Sequence, residues 1–436
     1  METKGFADYL RESANSPKSY PPVRSLMDVD FYKLTMGQVI FRHFRGTEVT
    51  FQLIIRDPNI QLSRFVSEED LRAVFDYAMG LRFTKTDLYY LRGIEIDLYE
   101  KYMFGEDYLG FLAEFRLPKY SIKVHRGAFV ISFTGDWAEV SMWETIALAI
   151  ISELYYRAIL RNVPKYTLEN IYRRAQVRAY DKLEKLQRCP RVRFADFGQR
   201  RRHSFLWQEW VIGLCRDMTG DQFIGTSNTW MAFHHDMVPI GTNAHELPMV
   251  LTALANSDGE MRYAQYRVLE LWQETYGQGL RVFLPDTYGS TQFFANAPDW
   301  VKGWRGHRQD SGEPLAEAAK YVLWLKERGI DPANRLTIFS DGLDVNTMLG
   351  IDFSLGGAHQ HSFGWGTLLT NDFRGCSSEV PELRPFSMVC KIVSANGRPC
   401  VKLSNNPSKA VGPESEVERY LRIFGREGMS DQKVQV

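Results

Sequence analysis

Cysteine is scarce in this sequence, and the cysteines present are not paired. The 436 residues include only five, at positions 189, 215, 376, 390 and 400, an odd number without any Cys-x-x-Cys spacing. A disulfide framework needs an even set, and structural zinc sites use closely spaced cysteines. The sequence therefore predicts reduced thiols and a cytoplasmic protein.

Long apolar runs are also missing. The longest run, TIALAIIS, covers residues 145–152 between Glu144 and Glu153, whereas a membrane-spanning helix needs about 20 apolar residues. Residues 1–20 carry charges throughout and lack the apolar core of a signal peptide. We expect a buried helix at 145–152, no export signal and no contact with membranes.

Neither sign of charge is in excess. The 53 basic and 53 acidic side chains cancel to a formal net charge of +0, and the pI is about 7.1. Because surfaces that hold nucleic acid are strongly basic, this balance argues against a nucleic-acid partner. Any anionic ligand must then be bound by a local cluster of cations.

The chain is long enough for more than one hydrophobic core, and its hydrophobic content of 44% is typical of a globular enzyme. Residues 1–140 mix strands and helices. TEVTFQLIIR (47–56) alternates like a half-buried strand, Ser67 opens a helix with a capping pattern, and 120–137 has the pattern of a hairpin. We interpret this part as an antiparallel sheet with packed helices.

From Arg191 onward one pattern recurs: a short apolar run ends in a polar corner that contains glycine, and a helical stretch often follows. The pattern predicts an α/β fold with an irregular TIM-like barrel. In such barrels the chemistry lies at the carboxyl ends of the strands, and the unusual polar motifs fall there. The runs are VRFADFG, DQFIGTSN, PIGTNAHE, LRVFLPDTYGS, GWRGHRQDSGE, LTIFSDGLD and HSFGWGT.

Several of these strand ends carry groups that suit an anion. DFGQRRRHS places Arg200, Arg201 and Arg202 after a strand, either as an anion clamp or as a solvated charge cluster. SDGLD and FGWGT come late in the predicted barrel, where glycine lets backbone N–H groups approach a phosphate. Taken alone, either motif can be explained as a simple turn, but their position late in the barrel favours a phosphate site.

HRQDSGEP holds a cation and a carboxylate two residues apart. Arg308 and Asp310 at a strand end point the same way, which suits a ligand that has both negative charge and hydroxyls. Asp286 in LPDTYGS supplies a second carboxylate that suits a sugar. The alternative is that Asp before Ser-Gly only forms a turn.

Two histidine-rich stretches, HHD (234–236) and HQH (359–361), invite a metal-site interpretation. HxH pairs of metal-dependent barrels lie on the first strand, whereas this one lies near the last. We therefore predict no protein-held transition metal and expect Mg²⁺ to enter with a phosphate. His245, in GTNAHELPM, stands alone, and an isolated histidine is usually a hydrogen-bonded loop residue.

Taken together, the motifs resemble one family. DVDFYKLTMGQ, DFGQRRRHS, GTSN, GTNAHELPM, LPDTYGST, HRQDSGEP, SDGLD, FGWGTLLTND and NGRPCVKLSNNPSK resemble, in order and spacing, the bacterial-type nicotinate phosphoribosyltransferases. The resemblance extends from Pro21 to Lys409, and its most specific elements are Thr-x-Ala-His and Arg-x-Asp-Ser-Gly.

The resemblance implies the fold of type II phosphoribosyltransferases: an irregular barrel beside an α+β domain built from both chain ends. It places the domains at 1–140, 141–370 and 371–436, the last returning to the first. The implied reaction joins nicotinate to 5-phosphoribosyl-1-pyrophosphate in NAD salvage, driven by ATP with Mg²⁺. It also implies a homodimer whose subunits share active sites.

The resemblance assigns roles to particular residues. His245 matches the histidine that ATP phosphorylates, and Glu246 is a candidate for fixing its tautomer. Catalysis is assigned to His245, Asp310 and Arg308. Nicotinate is assigned to Tyr32 from the partner subunit, Phe197, Arg200, Thr242 and Arg308. The phosphoribosyl group and pyrophosphate are assigned to Arg200, Asp310, Gly342, Gly364, Gly366 and Thr367, with Asp286, Ser227 and Lys402 nearby.

Three alternatives are open at this stage. Nicotinamide phosphoribosyltransferases share the DFG and Asp-Ser-Gly elements. The short chain and the residues of the GTNAHELPM motif favour an enzyme that acts on nicotinate. Quinolinate phosphoribosyltransferases are shorter and lack the phosphohistidine segment. A non-catalytic binding protein is the third alternative, and the presence of His245, Arg308 and Asp310 argues against it.

Overall fold

The structure is a computed structural model, and it describes residues 5–96 and 101–431. Its strands form a five-stranded antiparallel sheet, a six-stranded parallel sheet and a two-stranded ribbon. The strands are β1 (Glu48–Ile55), β2 (Glu95–Ile96), β3 (Lys101–Tyr102), β4 (Tyr120–His125), β5 (Ala128–Asp136), β6 (Phe194–Asp196), β7 (Phe223–Thr226), β8 (Val282–Phe283), β9 (Gly306–Gln309), β10 (Leu336–Phe339), β11 (Gln360–Trp365), β12 (Met388–Ala395) and β13 (Arg398–Pro399).

The antiparallel sheet has the order β13-β12-β1-β5-β4. Its centre is β1, which alternates buried and partly exposed residues as the sequence predicts. The predicted hairpin is confirmed as β4 and β5, and β12 pairs with β1 although more than 300 residues separate them in sequence. The C-terminal part of the chain thus completes a sheet begun near the N-terminus. The domain boundaries themselves stay a prediction.

The parallel sheet has the order β7-β6-β11-β10-β9-β8. A barrel with this strand order would have to close across the opening between the edge strands β7 and β8. Among the described residues no ladder closes that opening, so a mixed α/β fold with a parallel sheet is confirmed but barrel closure is not. The strand predicted at PIGTNAHE is wrong: Pro239 makes only an isolated bridge to Thr226. Proline has no N–H to donate, and the segment then leaves the sheet.

Helices surround both sheets. The apolar run at 145–152 is confirmed as part of a buried helix, and no described helix is long and apolar enough to cross a membrane. The predicted cap at Ser67 is confirmed, since its hydroxyl accepts from the Asp70 N–H. The helices are α1 (Phe6–Asn15), α2 (Tyr32–His43), α3 (Glu68–Gly80), α4 (Lys85–Gly93), α5 (Glu106–Glu114), α6 (Trp137–Val140), α7 (Trp143–Leu160), α8 (Lys165–Gln187), α9 (Phe205–Thr219), α10 (Thr229–His234), α11 (Glu246–Leu254), α12 (Asp258–Tyr276), α13 (Ser290–Asn296), α14 (Pro314–Glu327), α15 (Val345–Leu355), α16 (Thr367–Thr370) and α17 (Glu414–Phe424).

The core is continuous between the two sheets. Helix α7 is buried along almost its whole length because it packs against β12 on one side and against the turn after β6 on the other. All five cysteines are free thiols. This packing brings the carboxyl ends of the parallel strands close to the antiparallel sheet, and a cavity lies between them.

Candidate active site

The cavity holds about 220 Å³ and is lined from two directions. The parallel strands contribute residues at their carboxyl ends, such as Phe197, Arg308 and Asp310. The antiparallel sheet contributes Val389 and Lys391 from β12. The predicted position of the site at the strand ends therefore agrees with the structure, although the contribution of the second sheet was not predicted.

His245 is buried at the cavity wall, with 3% of its surface exposed. Its Nδ1 lies 2.9 Å from the Thr287 hydroxyl oxygen, and its Nε2 lies 2.9 Å from Asp310 Oδ2 and 2.8 Å from Lys402 Nζ. Burial, reinforced by the Lys402 charge, lowers the pKa of His245 to about 4. The ring is therefore neutral at physiological pH, as a nucleophile must be.

Glu246 does not orient this histidine, and the candidate role suggested for it is wrong. It begins helix α11, and its carboxylate accepts hydrogen bonds from Trp137 Nε1 at 2.6 Å and from Lys33 Nζ at 2.5 Å. The side chain therefore points into the core, away from the ring. The side chain that contacts Nδ1 of the ring is instead Thr287, through its hydroxyl.

Arg308 and Asp310 point the same way, as their spacing on β9 predicts. Arg308 Nη1 lies 3.0 Å from Asp310 Oδ1 and 3.2 Å from the Ser340 hydroxyl. Burial raises the pKa of Asp310, but the Arg308 charge, with His245 and Lys402 adding to it, outweighs this effect and holds that pKa well below its usual range. Asp310 is therefore an anion that faces the cavity with 26% of its side chain exposed.

Asp286 stands behind the histidine. The Ser311 hydroxyl donates to its Oδ2 at 2.5 Å, while its Oδ1 is buried without a hydrogen-bond partner, 3.8 Å from His245 Nε2. Donor atoms of His245, Asp286 and Asp310 lie within 4.8 Å of one another, a spacing that a metal ion could span. The ammonium of Lys402 already lies among them, however, 2.8 Å from His245 Nε2 and 3.9 Å from Asp286 Oδ2, so the group already holds one cation beside its two carboxylates.

The other histidine-rich stretches lie elsewhere. His359 faces Thr337 at 2.7 Å, His361 faces Asp352 at 3.1 Å, and His235 faces Glu209 at 3.2 Å. Each ring is held by a neighbour of its own, and these residues do not line the cavity. Their hydrogen bonds explain them as structural residues.

Phe197 and Tyr32 form the aromatic part of the wall. Phe197 follows β6, and its N–H donates to the Trp365 carbonyl at 2.9 Å, which fixes the turn. Gly364 lies beneath the Phe197 ring: a Cβ there would come within 2.3 Å of it. Gly364 was assigned to the phosphate, but it does not line the cavity; its missing side chain instead makes room for the ring.

Tyr32 comes from this same chain. It begins helix α2, lines the cavity and donates from its hydroxyl to Glu144 Oε2 at 3.2 Å. The resemblance assigned this aromatic side chain to a partner subunit, and that part of the expectation is wrong because α2 packs beside the chain's own cavity. Arg200 lies over the Tyr32 ring, with its Cζ 5.9 Å from the centroid.

The three consecutive arginines have different roles. Arg200 and Arg201 line the cavity, whereas Arg202 is fully buried and forms two 2.8 Å hydrogen bonds with Asp28. Burial and the neighbouring charge of Arg200 lower the pKa of Arg201 to about 10. Two guanidinium groups that line the cavity favour an anionic ligand, so the predicted clamp has two members and not three.

The glycine-rich turns after β10 and β11 also line the cavity. Gly342 has a φ of +59°, a conformation that glycine adopts without strain, and Gly366 and Thr367 open the short helix α16. Next to them, Lys409 Nζ donates to Asp341 Oδ1 at 2.5 Å. The turns and the lysine give this side the character of a phosphate subsite. Thr242 and Ser227 line the cavity as well.

Sequence reasoning missed several residues of the cavity: Arg56, Glu144, Lys391 and Lys409. One signal was available, because Glu144 and Lys391 are charges inside otherwise apolar segments that fold as a buried helix and a buried strand. The sequence alone does not show that these two side chains reach the cavity, because their position depends on the pairing of β1 with β12.

The chain is similar to known proteins along most of its length. Residues 192–427 match the model of the nicotinate phosphoribosyltransferase (NAPRTase) family, and residues 27–152 match the model of that family's N-terminal domain. A crystal structure of nicotinate phosphoribosyltransferase from Porphyromonas gingivalis has 28% identity and a TM-score of 0.82, covering 92% of this chain and 100% of that one. The corresponding structure from Vibrio cholerae has 29% identity and a TM-score of 0.83, covering 94% and 96%.

Proposed function

Because the chain belongs to the nicotinate phosphoribosyltransferase family, we propose that it joins nicotinate to 5-phosphoribosyl-1-pyrophosphate, coupled to ATP hydrolysis through a phosphohistidine. The products are nicotinate mononucleotide and pyrophosphate, the first step of NAD salvage from nicotinate. The observation that carries the proposal is that His245 and Arg308 both lie within hydrogen-bond distance of Asp310 at the cavity, at 2.9 Å and 3.0 Å.

Nicotinate fits the aromatic side of the cavity. We assign the pyridine to the Phe197 ring, on which it would stack; Tyr32 and Arg200, which lie against each other, line the same cavity. Arg308 and the Thr242 hydroxyl suit the carboxylate, because a guanidinium binds a carboxylate with two parallel hydrogen bonds. The neutral amide of nicotinamide offers the guanidinium no negative charge. We therefore expect the site to prefer nicotinate.

We assign the phosphoribosyl donor to the glycine-rich turns and to the charged residues of the cavity wall. Gly342, Gly366 and Thr367 suit the 5-phosphate, Asp310 suits the ribose hydroxyls, and Arg200 suits the pyrophosphate. The pyridine nitrogen attacks C1 of the ribose as the bond to pyrophosphate breaks, so no proton has to move. The residues contribute by aligning the two substrates and by stabilising the charge that develops on the sugar.

Magnesium belongs to the proposal as the counter-ion of the polyphosphate, whose oxygens are ligands that it prefers. The site fits such an ion, since the buried Oδ2 of Asp30 at the cavity wall has no hydrogen-bond partner. When bound, Mg²⁺ neutralises charge on the phosphates. Arg200, 3.5 Å from Asp30, supplies the protein's own share of that neutralisation.

The ATP step uses His245. A ring nitrogen attacks the γ-phosphorus, the bond from phosphorus to the ADP oxygen breaks, and ADP leaves; hydrolysis of the N–P bond later restores the imidazole. The burial of the ring and its lowered pKa keep the lone pair available. Cytoplasmic location and a homodimer are part of the proposal, although Tyr32 of each subunit already lines that subunit's own cavity.

One assay tests the proposal. Purified protein with phosphoribosyl pyrophosphate and Mg²⁺ is offered nicotinate or nicotinamide, with and without ATP, and mononucleotide and pyrophosphate are measured. We expect mononucleotide to form from nicotinate and ATP to increase its amount. In His245→Ala, ATP should cause no such increase. Product from nicotinamide only contradicts the substrate assignment, and no product from either contradicts the enzymatic one.

A further inference from the structure

Two side chains compete for one nitrogen of His245. Asp310 Oδ2 and Lys402 Nζ lie 2.9 Å and 2.8 Å from Nε2. A carboxylate only accepts hydrogen bonds and an ammonium only donates them. Nε2 can therefore satisfy either Asp310, by carrying a proton, or Lys402, by offering its lone pair. The choice decides which ring nitrogen is nucleophilic.

The two ring nitrogens differ in access. Nδ1 faces the Thr287 hydroxyl at 2.9 Å, and Thr287 is 1% exposed. The backbone around Thr287 is also fixed, because its carbonyl accepts from the N–H groups of Leu403 and Ser404. Only Nε2 lies among Asp310 and Lys402, both of which line the cavity. A phosphoryl donor in the cavity can therefore reach Nε2 and not Nδ1.

Lys402 is rigidly placed to donate. Its backbone forms both hydrogen bonds of an antiparallel bridge with Val411, at 3.0 Å each, and the residue is 6% exposed. Its ammonium lies 3.9 Å from Asp286 Oδ2, so it stays close to a second carboxylate. Asp310, by contrast, already has Arg308 and Ser340 as donors to Oδ1.

We propose that Lys402 is a catalytic residue that selects the His245 tautomer with a free lone pair on Nε2. This inference rests on the proposed ATP-coupled function. The ring proton then lies on Nδ1 and is donated to the Thr287 hydroxyl. As Nε2 attacks the γ-phosphorus and ADP leaves, that proton stays on Nδ1, and the Lys402 ammonium turns to the new phosphoryl oxygens.

Without Lys402 the other His245 tautomer is favoured. Nε2 carries the proton and donates it to Asp310, and the lone pair lies on the enclosed Nδ1. Lys402→Met should therefore slow phosphorylation of His245 by about 100-fold, the lower range for loss of an activating group. ¹⁵N spectra of histidine-labelled protein, with the His245 signal assigned by its loss in His245→Gln, should show Nε2 unprotonated in the wild type and protonated in Lys402→Met.

A double variant separates this role from a structural one. In Lys402→Met with Asp310→Asn, the amide oxygen keeps the Arg308 contact and the amide nitrogen faces Nε2 as a donor. It should restore the wild-type tautomer and part of the phosphoenzyme formed from radiolabelled ATP alone. A lysine needed only for folding would not be rescued in this way. Lys320→Met, which loses the pair with Glu317 away from the cavity lining, serves as the matched control and should keep the wild-type tautomer.

The outcomes are distinct. An Nε2-protonated ring in the wild type, or equal phosphorylation rates in wild type and Lys402→Met, overturns the inference. Phosphate found on Nδ1 of His245 overturns it as well. If the wild type forms no phosphoenzyme at all, the ATP-coupled function fails, while the tautomer measurement still decides whether Lys402 sets the ring's protonation.

Discussion

Lys33 Nζ lies 2.5 Å from Glu246 Oε2, and both side chains are almost completely buried. The same ammonium lies 2.6 Å from Glu144 Oε2. Burial lowers the pKa of Lys33, but the two carboxylates outweigh it, so its pKa is raised and the residue stays charged. Lys33 thus connects the Tyr32 wall, through Glu144, with the first residue of α11, next to His245.

Replacing this lysine should destabilise the protein. Lys33→Met leaves two buried carboxylates close together without their shared cation, and removal of one partner of a buried ion pair costs about 3–5 kcal/mol. Denaturant unfolding measures the change. Adding Glu144→Gln and Glu246→Gln should recover part of it, and Arg92→Ala, which breaks an exposed pair, should change little. Unchanged stability of Lys33→Met would mean that the pair is dispensable.

Gly364 offers a test of the aromatic wall. In Gly364→Ala the new methyl group would come within 2.3 Å of the Phe197 ring, so the ring must shift. We expect the KM for nicotinate to rise about 10-fold, in line with the loss of one aromatic stacking contact, while phosphorylation of His245 changes little. Gly213→Ala, with nothing within 4 Å of its new methyl, is the control and should leave KM unchanged. An unchanged KM in Gly364→Ala would remove Phe197 from the nicotinate subsite.

Local patterns predicted much of this molecule. The strands β1, β6 and β10 lie where their apolar runs placed them, and Arg308 and Asp310 meet as a two-residue spacing on a strand requires. Features that depend on contacts between residues far apart in sequence could not be predicted from local patterns. Glu246 turns away from His245 because Lys33, 213 residues away in sequence, holds it.

The cavity illustrates the same limit. Lys391 reaches it only because β12 pairs with β1, and no local signal in the sequence encodes that long-range pairing. The strand expected at 239–246 failed for a local reason, the proline that interrupts its hydrogen bonds. Tyr32 was assigned to another subunit because only the folded chain shows that α2 packs at its own cavity.

Acid should weaken the fold through its buried histidines. Burial lowers the pKa of His203 and His307 to about 3 each. Their stabilising effect is complete above the unfolded-state pKa of about 6.5 and is lost as pH falls, because the unfolded chain then binds protons that the folded chain refuses. At pH 5 each of these two histidines should lower the free energy of unfolding by about 2 kcal/mol relative to pH 7.

Denaturant unfolding at several pH values measures this effect. Asp30 opposes it: burial raises the pKa of its carboxyl to about 6, so its own contribution improves as pH falls from 6 to 4. His307→Phe should reduce the pH dependence by about one proton, whereas His125→Gln at an exposed position should not. An unfolding free energy that stays constant from pH 7 to pH 5 in the wild type contradicts the prediction.

Phosphorylation of His245 should fail in alkali before the fold does. Burial lowers the pKa of Lys402 to about 8, with Lys391 and Lys409 reinforcing the effect and Asp286 and Asp310 opposing it. Below that pH the ammonium can only donate to Nε2. Above it, the neutral amine can accept, so Nε2 is free to carry the proton and lose its lone pair.

The expected profile is specific. Phosphoenzyme formation at saturating ATP, measured by rapid quench, should be level near neutral pH and fall about tenfold per pH unit above about 8. Lys402→Arg should keep the level region to higher pH, since a guanidinium stays protonated. His245 loses no proton in this range, because its pKa is already lowered to about 4. A wild-type rate that stays level to pH 10 would show that another group, and not Lys402, holds the lone pair on Nε2.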